Sequence, residues 1–200
     1  MATPISEVAR RADLFFMNRS PIHEAMQRLH RTLSEMDIRY AVAGAMAANA
    51  HGHRRTTADV DILIRPEDLQ RFKDRWIGRG WVDKFEGSKN FRDAVCEVDI
   101  DDLLTGGYPG DGLEKPVRFP EPESVSQIHD DGIPYIDLPT LLNLKLASGM
   151  TASHRPRDLD DAIQLIRGNQ LDERYSQELN EFVRAKYLEL LEASQVDEDF

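Results

Sequence analysis

The run Ala58-Asp59-Val60-Asp61-Ile62-Leu63-Ile64, closed by Arg65-Pro66, sets two carboxylates inside what is otherwise a buried strand. Side chains alternate across a strand, so Asp59 and Asp61 leave one face while Val60 and Ile62 enter a core on the other. Their Cα atoms then lie about 6 to 7 Å apart, from the rise per strand residue. Such a pair suits hard cations with oxygen ligands. A chain carrying it must build a sheet whose one face is packed and whose other face is polar at this point.

The flanking pattern supplies the rest of the layout. Val8, Ala12, Leu14 and Phe15 mark a helix over about Ser6 to Met17, and Ser20-Pro21 opens a second that reaches about Met36. Arg39 to Ala43 reads as a short buried strand ending at Gly44, followed by helix-prone Ala45 to Ala50. After the acidic strand, Pro66 to Gly78 is a helix, Trp81 to Phe85 a weak strand and Val95 to Leu103 a stronger one. Residues 105 to 124 are rich in Gly and Pro and read as irregular. Ser126 to Ile128 and Ile133 to Asp137 flank Asp131-Gly132 as a hairpin. Helices follow over Thr140 to Ser148, Asp158 to Arg167 and about Asp172 to Ala193. A mixed sheet of about four or five of these strands is expected to hold the acids, and the chain divides into three segments: N-terminal helices over 1–38, a core over 39–137, and a C-terminal helical portion over 138–200.

Composition narrows the classes. The longest apolar runs, Tyr40 to Ala43 and Ile62 to Ile64, fall far short of the roughly 18 residues of a membrane span, and no signal-peptide pattern opens the chain. A soluble cytoplasmic protein with no membrane partner is expected. Cys96 is the only cysteine, which excludes an intrachain disulfide and a Cys-based zinc site. The net charge of -11 argues against a protein that coats nucleic acid, yet residues 1 to 100 balance at +1 and residues 101 to 200 at -12. A polyanion would meet the first half, where Arg10, Arg11, Arg28 and Arg31 lie on helices; scattered arginines on solvated helices are the commoner case.

Two further features bear on the acidic strand. In Val42-Ala43-Gly44-Ala45 a strand runs through glycine into a helix whose first amides suit phosphate oxygens. In Cys96-Glu97-Val98-Asp99-Ile100, alternation sets Glu97, Asp99 and Asp101 on one face, so a neighbouring strand offers a third carboxylate; a solvated acidic edge strand reads the same way. A D-x-D pair also occurs in haloacid-dehalogenase-type phosphatases, where an apolar strand precedes the acids, and in nucleotide-sugar glycosyltransferases, which need a larger upstream domain than 58 residues form. Neither fits this order. His51 and His53 form an H-x-H without a third ligand of matching softness, and His51 reads as a helix-end residue before Gly52.

Gly44-Ala45-Met46-Ala47, His51-Gly52 and Arg55-Thr56-Thr57-Ala58-Asp59-Val60-Asp61 together resemble the signature of minimal nucleotidyltransferases of the DNA polymerase β superfamily, in the branch of abortive-infection and toxin-antitoxin nucleotidyltransferases. Leu138-Pro139-Thr140-Leu141-Leu142, Leu144-Lys145-Leu146-Ala147-Ser148 and Arg157-Asp158-Leu159 with Asp161 resemble that branch's C-terminal signature. The match spans roughly residues 39 to 167. One departure is Ala45, where the family usually has Gly or Ser; a hydroxyl donor to phosphate is missing and a backbone amide remains.

The resemblance implies an α+β fold, a nucleotidyltransferase-like mixed sheet with helices packed on one face and a C-terminal helical portion. It implies an enzyme that moves an NMP from an NTP to an acceptor hydroxyl on RNA, a protein or a small molecule, with release of pyrophosphate, in a toxin-antitoxin or phage-defence setting with a cognate antitoxin or toxin partner. Asp59 and Asp61 would hold the nucleotide-bound Mg²⁺, and Asp99 a second Mg²⁺ and the acceptor hydroxyl, in a two-metal site that also accepts Mn²⁺. Gly44, Ala45, Arg55, Thr57, Lys145 and Arg157 fall on the nucleotide side. Lys145 either reaches triphosphate or snorkels from a buried helix, and Arg55, Thr57 and Arg157 either ligate or brace. The alternative, favoured by Ala45, is a catalytically degenerate binding or antitoxin module with the same fold.

Overall fold

The computed structural model describes residues 5–195; the expected first and last segments extend beyond them at 1–4 and 196–200. Two helices, α1 (Ile5–Phe16) and α2 (Pro21–Glu35), lead into β1 (Tyr40–Val42), α3 (Gly44–Ala50), β2 (Asp59–Ile64) and α4 (Pro66–Trp76). Then come β3 (Trp81–Asp83), β4 (Phe91–Asp93), β5 (Val98–Leu104), the short α5 (Pro122–Val125), β6 (Ser126–Ile128) and β7 (Pro134–Ile136). Helices α6 (Leu138–Thr151), α7 (Pro156–Gly168) and α8 (Glu181–Ser194) complete the chain. The strands form one seven-stranded mixed sheet in the order β3-β4-β5-β2-β1-β7-β6.

Strand register fixes the two faces. β2 runs antiparallel to β1 and parallel to β5, with Asp59 beside Asp99 and Asp61 beside Asp101. Paired residues share a face, so Val60, Ile62 and Ile100 enter the core on the other side, all fully buried. There α4 brings Phe72 against Trp81 and Phe91, with ring centroids 5.5 and 4.7 Å away. Proline opens α4 while Glu67 and Asp68 in its first turn and Lys73 and Arg75 in its last complement the helix dipole. Opposite them, α6 starts where the Asp137 carboxylate accepts from the Thr140 amide at 2.9 Å.

Three sequence expectations are corrected. Seven strands form instead of four or five; β4, at three residues, carries too little periodicity to be read. The strand expected from Val95 begins at Val98: the buried Asp93 accepts from the amides of Val95 and Cys96 at 2.8 and 3.1 Å, and Glu97 takes a left-handed φ of 56°. These contacts turn the chain between β4 and β5, so Glu97 does not share the strand face of Asp99. The long helix expected from Asp172 is broken. Asp172 caps a 3₁₀ turn over Glu173–Glu178, Leu179 is extended, and Asn180 caps α8 by accepting from the Phe182 amide at 3.0 Å.

One buried acid works against the fold. Asp102 is 2% exposed on the core side of β5, and neither carboxylate oxygen has a hydrogen-bond partner among the described residues. Burial pushes its pKa up to about 8 from 3.8, with Lys73 acting in the opposite direction. Because the folded state holds this proton more tightly than the unfolded one, stability falls as pH rises from about 4 to about 8, by roughly 1.4 kcal/mol per pH unit. Below that window both states are protonated and the contribution vanishes. Asp102→Asn is expected to melt well above the wild type at pH 8 and much closer to it at pH 5, in thermal melts at the two pH values.

Candidate nucleotide and metal site

The polar face of β2 is built from the first residues outward. After β1 the Ala43 amide donates to the Asp61 carbonyl at 2.8 Å, and Gly44 turns the chain into α3 with φ of 56°. An added Cβ at Gly44 would fall 1.8 Å from Asp61 Oδ2. Only glycine meets both the left-handed backbone and the close approach. Burial raises the Asp61 pKa to about 6, and Asp59 adds to the rise; Lys145 and Arg155 oppose it. Asp59 accepts from the Thr57 hydroxyl at 2.5 Å.

The structure brings Asp99 to the same face, one strand over. Its carboxylate accepts from Arg92 Nη1 at 2.9 Å and lies 3.3 Å from Lys84 Nζ. Asp101, the register partner of Asp61, accepts from Lys84 Nζ at 2.7 Å and Asn90 Nδ2 at 2.8 Å. Both acids are about one-third exposed, with cations for neighbours.

Across from Asp61, α6 and α7 close a cleft of ≈ 60 Å³ lined also by Ala43, Gly44, Lys145 and Arg155. The loop between β5 and α5 forms its lip through Pro109 and Phe119. That loop is tied internally by the buried Lys115, whose ammonium donates to the carbonyls of Pro109 and Leu113 at 2.8 and 2.7 Å.

Lys145 does not snorkel. Its ammonium sits 2.7 Å from both Asp158 Oδ1 and Asp161 Oδ2, and Ser148 Oγ donates to Asp158 at 2.6 Å. Asp161 is fully buried and also receives Arg55, with Nε at 2.7 Å and Nη2 at 2.9 Å, and His53 Nε2 at 3.2 Å. Burial alone would raise the Asp161 pKa, but Lys145 and Arg55 hold it below the ordinary carboxylate value. Arg157 is exposed and does not line the cleft; Arg155, two residues earlier, does. Ala45 is buried and does not line it either. His51 Nε2 bonds the Ile136 carbonyl at 2.7 Å, so the H-x-H pair points to two separate structural contacts.

Sequence reading missed Arg155 and the joint role of Asp158 and Asp161. Lys145 and Ser148 stand three apart on α6, as do Asp158 and Asp161 on α7, and facing i,i+3 pairs of donors and acceptors are the legible trace of that contact. Among the described residues no three His, Cys, Asp or Glu side chains converge as a ready-made metal cage. The donor set fits a cation that arrives with its own oxygens: Mg²⁺ is usually held by one or two carboxylates plus substrate phosphates. The desolvated Asp61 beside Asp59 is short of such a counter-charge.

The sheet order, the faces and the helices packed against them make a nucleotidyltransferase-like α+β fold. The crystal structure of ANT(2″)-Ia, an aminoglycoside nucleotidyltransferase, in complex with adenylyl-2″-tobramycin, superposes with a TM-score of 0.54 at 11% identity, over 83% of this chain and 98% of that one. The solution structure of the antibiotic-resistance factor ANT(2″)-Ia matches with a TM-score of 0.50 at 11% identity, over 85% and 94%. No protein-family profile matches the sequence, and no curated protein does. No described helix is long and apolar enough to cross a membrane.

Gly44→Ala is expected to push the Asp61 carboxylate out of place as well as straining the backbone by about 1 kcal/mol. The variant should remain folded by circular dichroism yet lose Mg²⁺-dependent protection by ATP in thermal melts.

Proposed function

We propose that the protein is a Mg²⁺-dependent nucleotidyltransferase that moves an NMP from an NTP to an acceptor hydroxyl. The observation that carries this reading is the register of β2 against β5, which sets Asp59, Asp61 and Asp99 on one polar face of a nucleotidyltransferase-like sheet. Asp59 and Asp61 bind the cation that travels with the triphosphate. That cation, when bound, neutralises phosphate charge and favours displacement at the α-phosphorus. Lys145 and Arg155 add positive charge along the same cleft. Asp99 orients the acceptor hydroxyl and takes its proton as the new O–P bond forms; the bond to the bridging oxygen breaks and pyrophosphate leaves. ATP is the first donor to test, because the product bound to ANT(2″)-Ia is an adenylyl conjugate. The resemblance to abortive-infection and toxin-antitoxin enzymes adds RNA and protein hydroxyls to small molecules as acceptor classes.

Incubating cell extract with each α-labelled NTP and Mg²⁺ should label one acceptor class and release pyrophosphate. No label with any NTP would favour the non-catalytic binding module. The acids separate by role. Asp59→Asn and Asp61→Asn remove charge from a cation-binding pair and should weaken Mg·NTP binding as well as transfer. Asp99→Asn should slow single-turnover transfer by several orders of magnitude while leaving Mg·NTP affinity within about tenfold. A near wild-type rate for Asp99→Asn would move the role to Asp101, which neighbours Asp61 in the sheet.

A further inference from the structure

We infer that Asp161, on a helix a hundred residues downstream of the acidic strand, is the positioning residue for Asp59. The link is a chain of direct contacts. The loop from Gly52 to Ala58 has no helix or strand of its own and delivers the chain to Asp59. At its start, Asn49 grips Arg55 at both backbone groups, accepting from its amide at 2.9 Å and donating to its carbonyl at 2.8 Å. In its middle, Arg55 Nη2 donates to Asp161 Oδ2 at 2.9 Å while Nε lies 2.7 Å from Oδ1 as a charge contact without a hydrogen bond, and His53 reaches the same carboxylate. Two residues on, the Thr57 hydroxyl donates to Asp59 Oδ1. The Nη2 hydrogen bond is charge-assisted, and the ion pair beside it holds the guanidinium against a carboxylate that is itself buried.

Burial makes the hub rigid. Asp161 is fully buried and its charge is met by Lys145 and Arg55, with His53 a third contact, so removing either cation leaves the buried carboxylate short of counter-charge. The Asp59 carboxylate is therefore oriented from α7, through the loop, and not by the sheet alone. The same carboxylate also holds Lys145, which lines the cleft with Asp61, so one residue bears on both acids of β2.

This inference rests on the reading of Asp59 as a cation ligand, and its test keeps the two apart. Loop order is read by limited trypsin digestion, because Arg54 is exposed and cleavage after Arg54 or Arg55 can be mapped by mass spectrometry. Cation affinity is read by calorimetric titration with Mn²⁺ alone. Arg55→Lys keeps the charge and loses the guanidinium that carries the Nη2 hydrogen bond, and Asp161→Asn removes the hub. Both are expected to speed nicking at 54–55 by about tenfold and to weaken Mn²⁺ binding by about tenfold, the usual scale for losing an outer partner of a metal ligand. Thr57→Val cuts only the last link, so it should weaken Mn²⁺ binding while leaving nicking unchanged. Should Asp161→Asn fail to fold, Arg55→Lys and Thr57→Val decide. A lower melting temperature in Arg55→Lys with nicking and Mn²⁺ affinity both within about twofold of wild type would overturn the inference and leave a merely structural ion pair. If the wild type binds no Mn²⁺ but nicking still responds to Arg55→Lys, the hub stands as a brace of the loop and the cation reading of Asp59 fails.

Discussion

A carboxylate drawn out of water has to be given counter-charge or be left close to protonation, and Asp61 is held between these two states. Its side chain is pressed against the Gly44 backbone, beside a second acid, in a cleft with little solvent. That single constraint dictates glycine at position 44, since any Cβ would occupy the space of the carboxylate. It also dictates cations on the opposite wall. Lys145 and Arg155 provide them, and they come from the C-terminal helices, so the sheet that carries the acids is electrostatically incomplete without α6 and α7. Lys145, once buried, needs acids of its own; Asp158 and Asp161 are the second layer of compensation.

The two halves of the polar sheet face consequently differ. Along β2 and β7 the face is covered by α3, with α6 packed against α3, and charges there are fixed in short contacts beside a small cleft. Along β3, β4 and β5 no helix is drawn over Asp99 and Asp101, whose partners Arg92 and Lys84 sit on flexible, partly exposed side chains. A tightly held pair of acids beside a looser, solvent-facing pair suits a site in which one substrate is gripped by its charge and the other approaches from the open side. The loop tied by Lys115 forms the lip where the two halves meet the C-terminal helices.

The alternation in Asp59-Val60-Asp61 was legible because a strand buried on one face has a strict period of two, and the same logic found β1, α3, the β6–β7 hairpin and the helices on either side. β4 was not: it is three residues long and is held by Trp81 beside it in the sheet, by Phe72 of α4 against Phe91 and by Arg28 of α2 on Asp93, partners outside its own segment. The break before α8 depends on Asn180 meeting Asn143 of α6, a contact no local pattern announces. At the site, Asp59, Asp61 and Asp99 followed from strand geometry and resemblance together, whereas Asp101 became a neighbour of Asp61 only once the parallel register was known. Lys145 and Arg55 stood out as charges in unhelpful places. That both converge on Asp161 is a tertiary fact, visible beforehand only as spaced polar residues on two helices.

Asp61 and Asp102 show why a displaced pKa does not by itself identify a site. They lie on adjacent strands, one register step apart and on opposite faces, and burial is the first cause of the rise in both. Asp102 is displaced further, to about 8 against about 6, and would be chosen first on that ground alone. Yet it is 2% exposed, its oxygens lack donors, and the rings of Phe72 and Phe91 close the same side of the sheet. Its displacement records a cost of folding. Asp61 is displaced less because cations already offset part of the burial, and it opens onto a cleft that it shares with Lys145 and Arg155. What distinguishes the candidate acid is the combination of unmet charge with access, and only the geometry on the two sides of the sheet supplies the second half of that criterion.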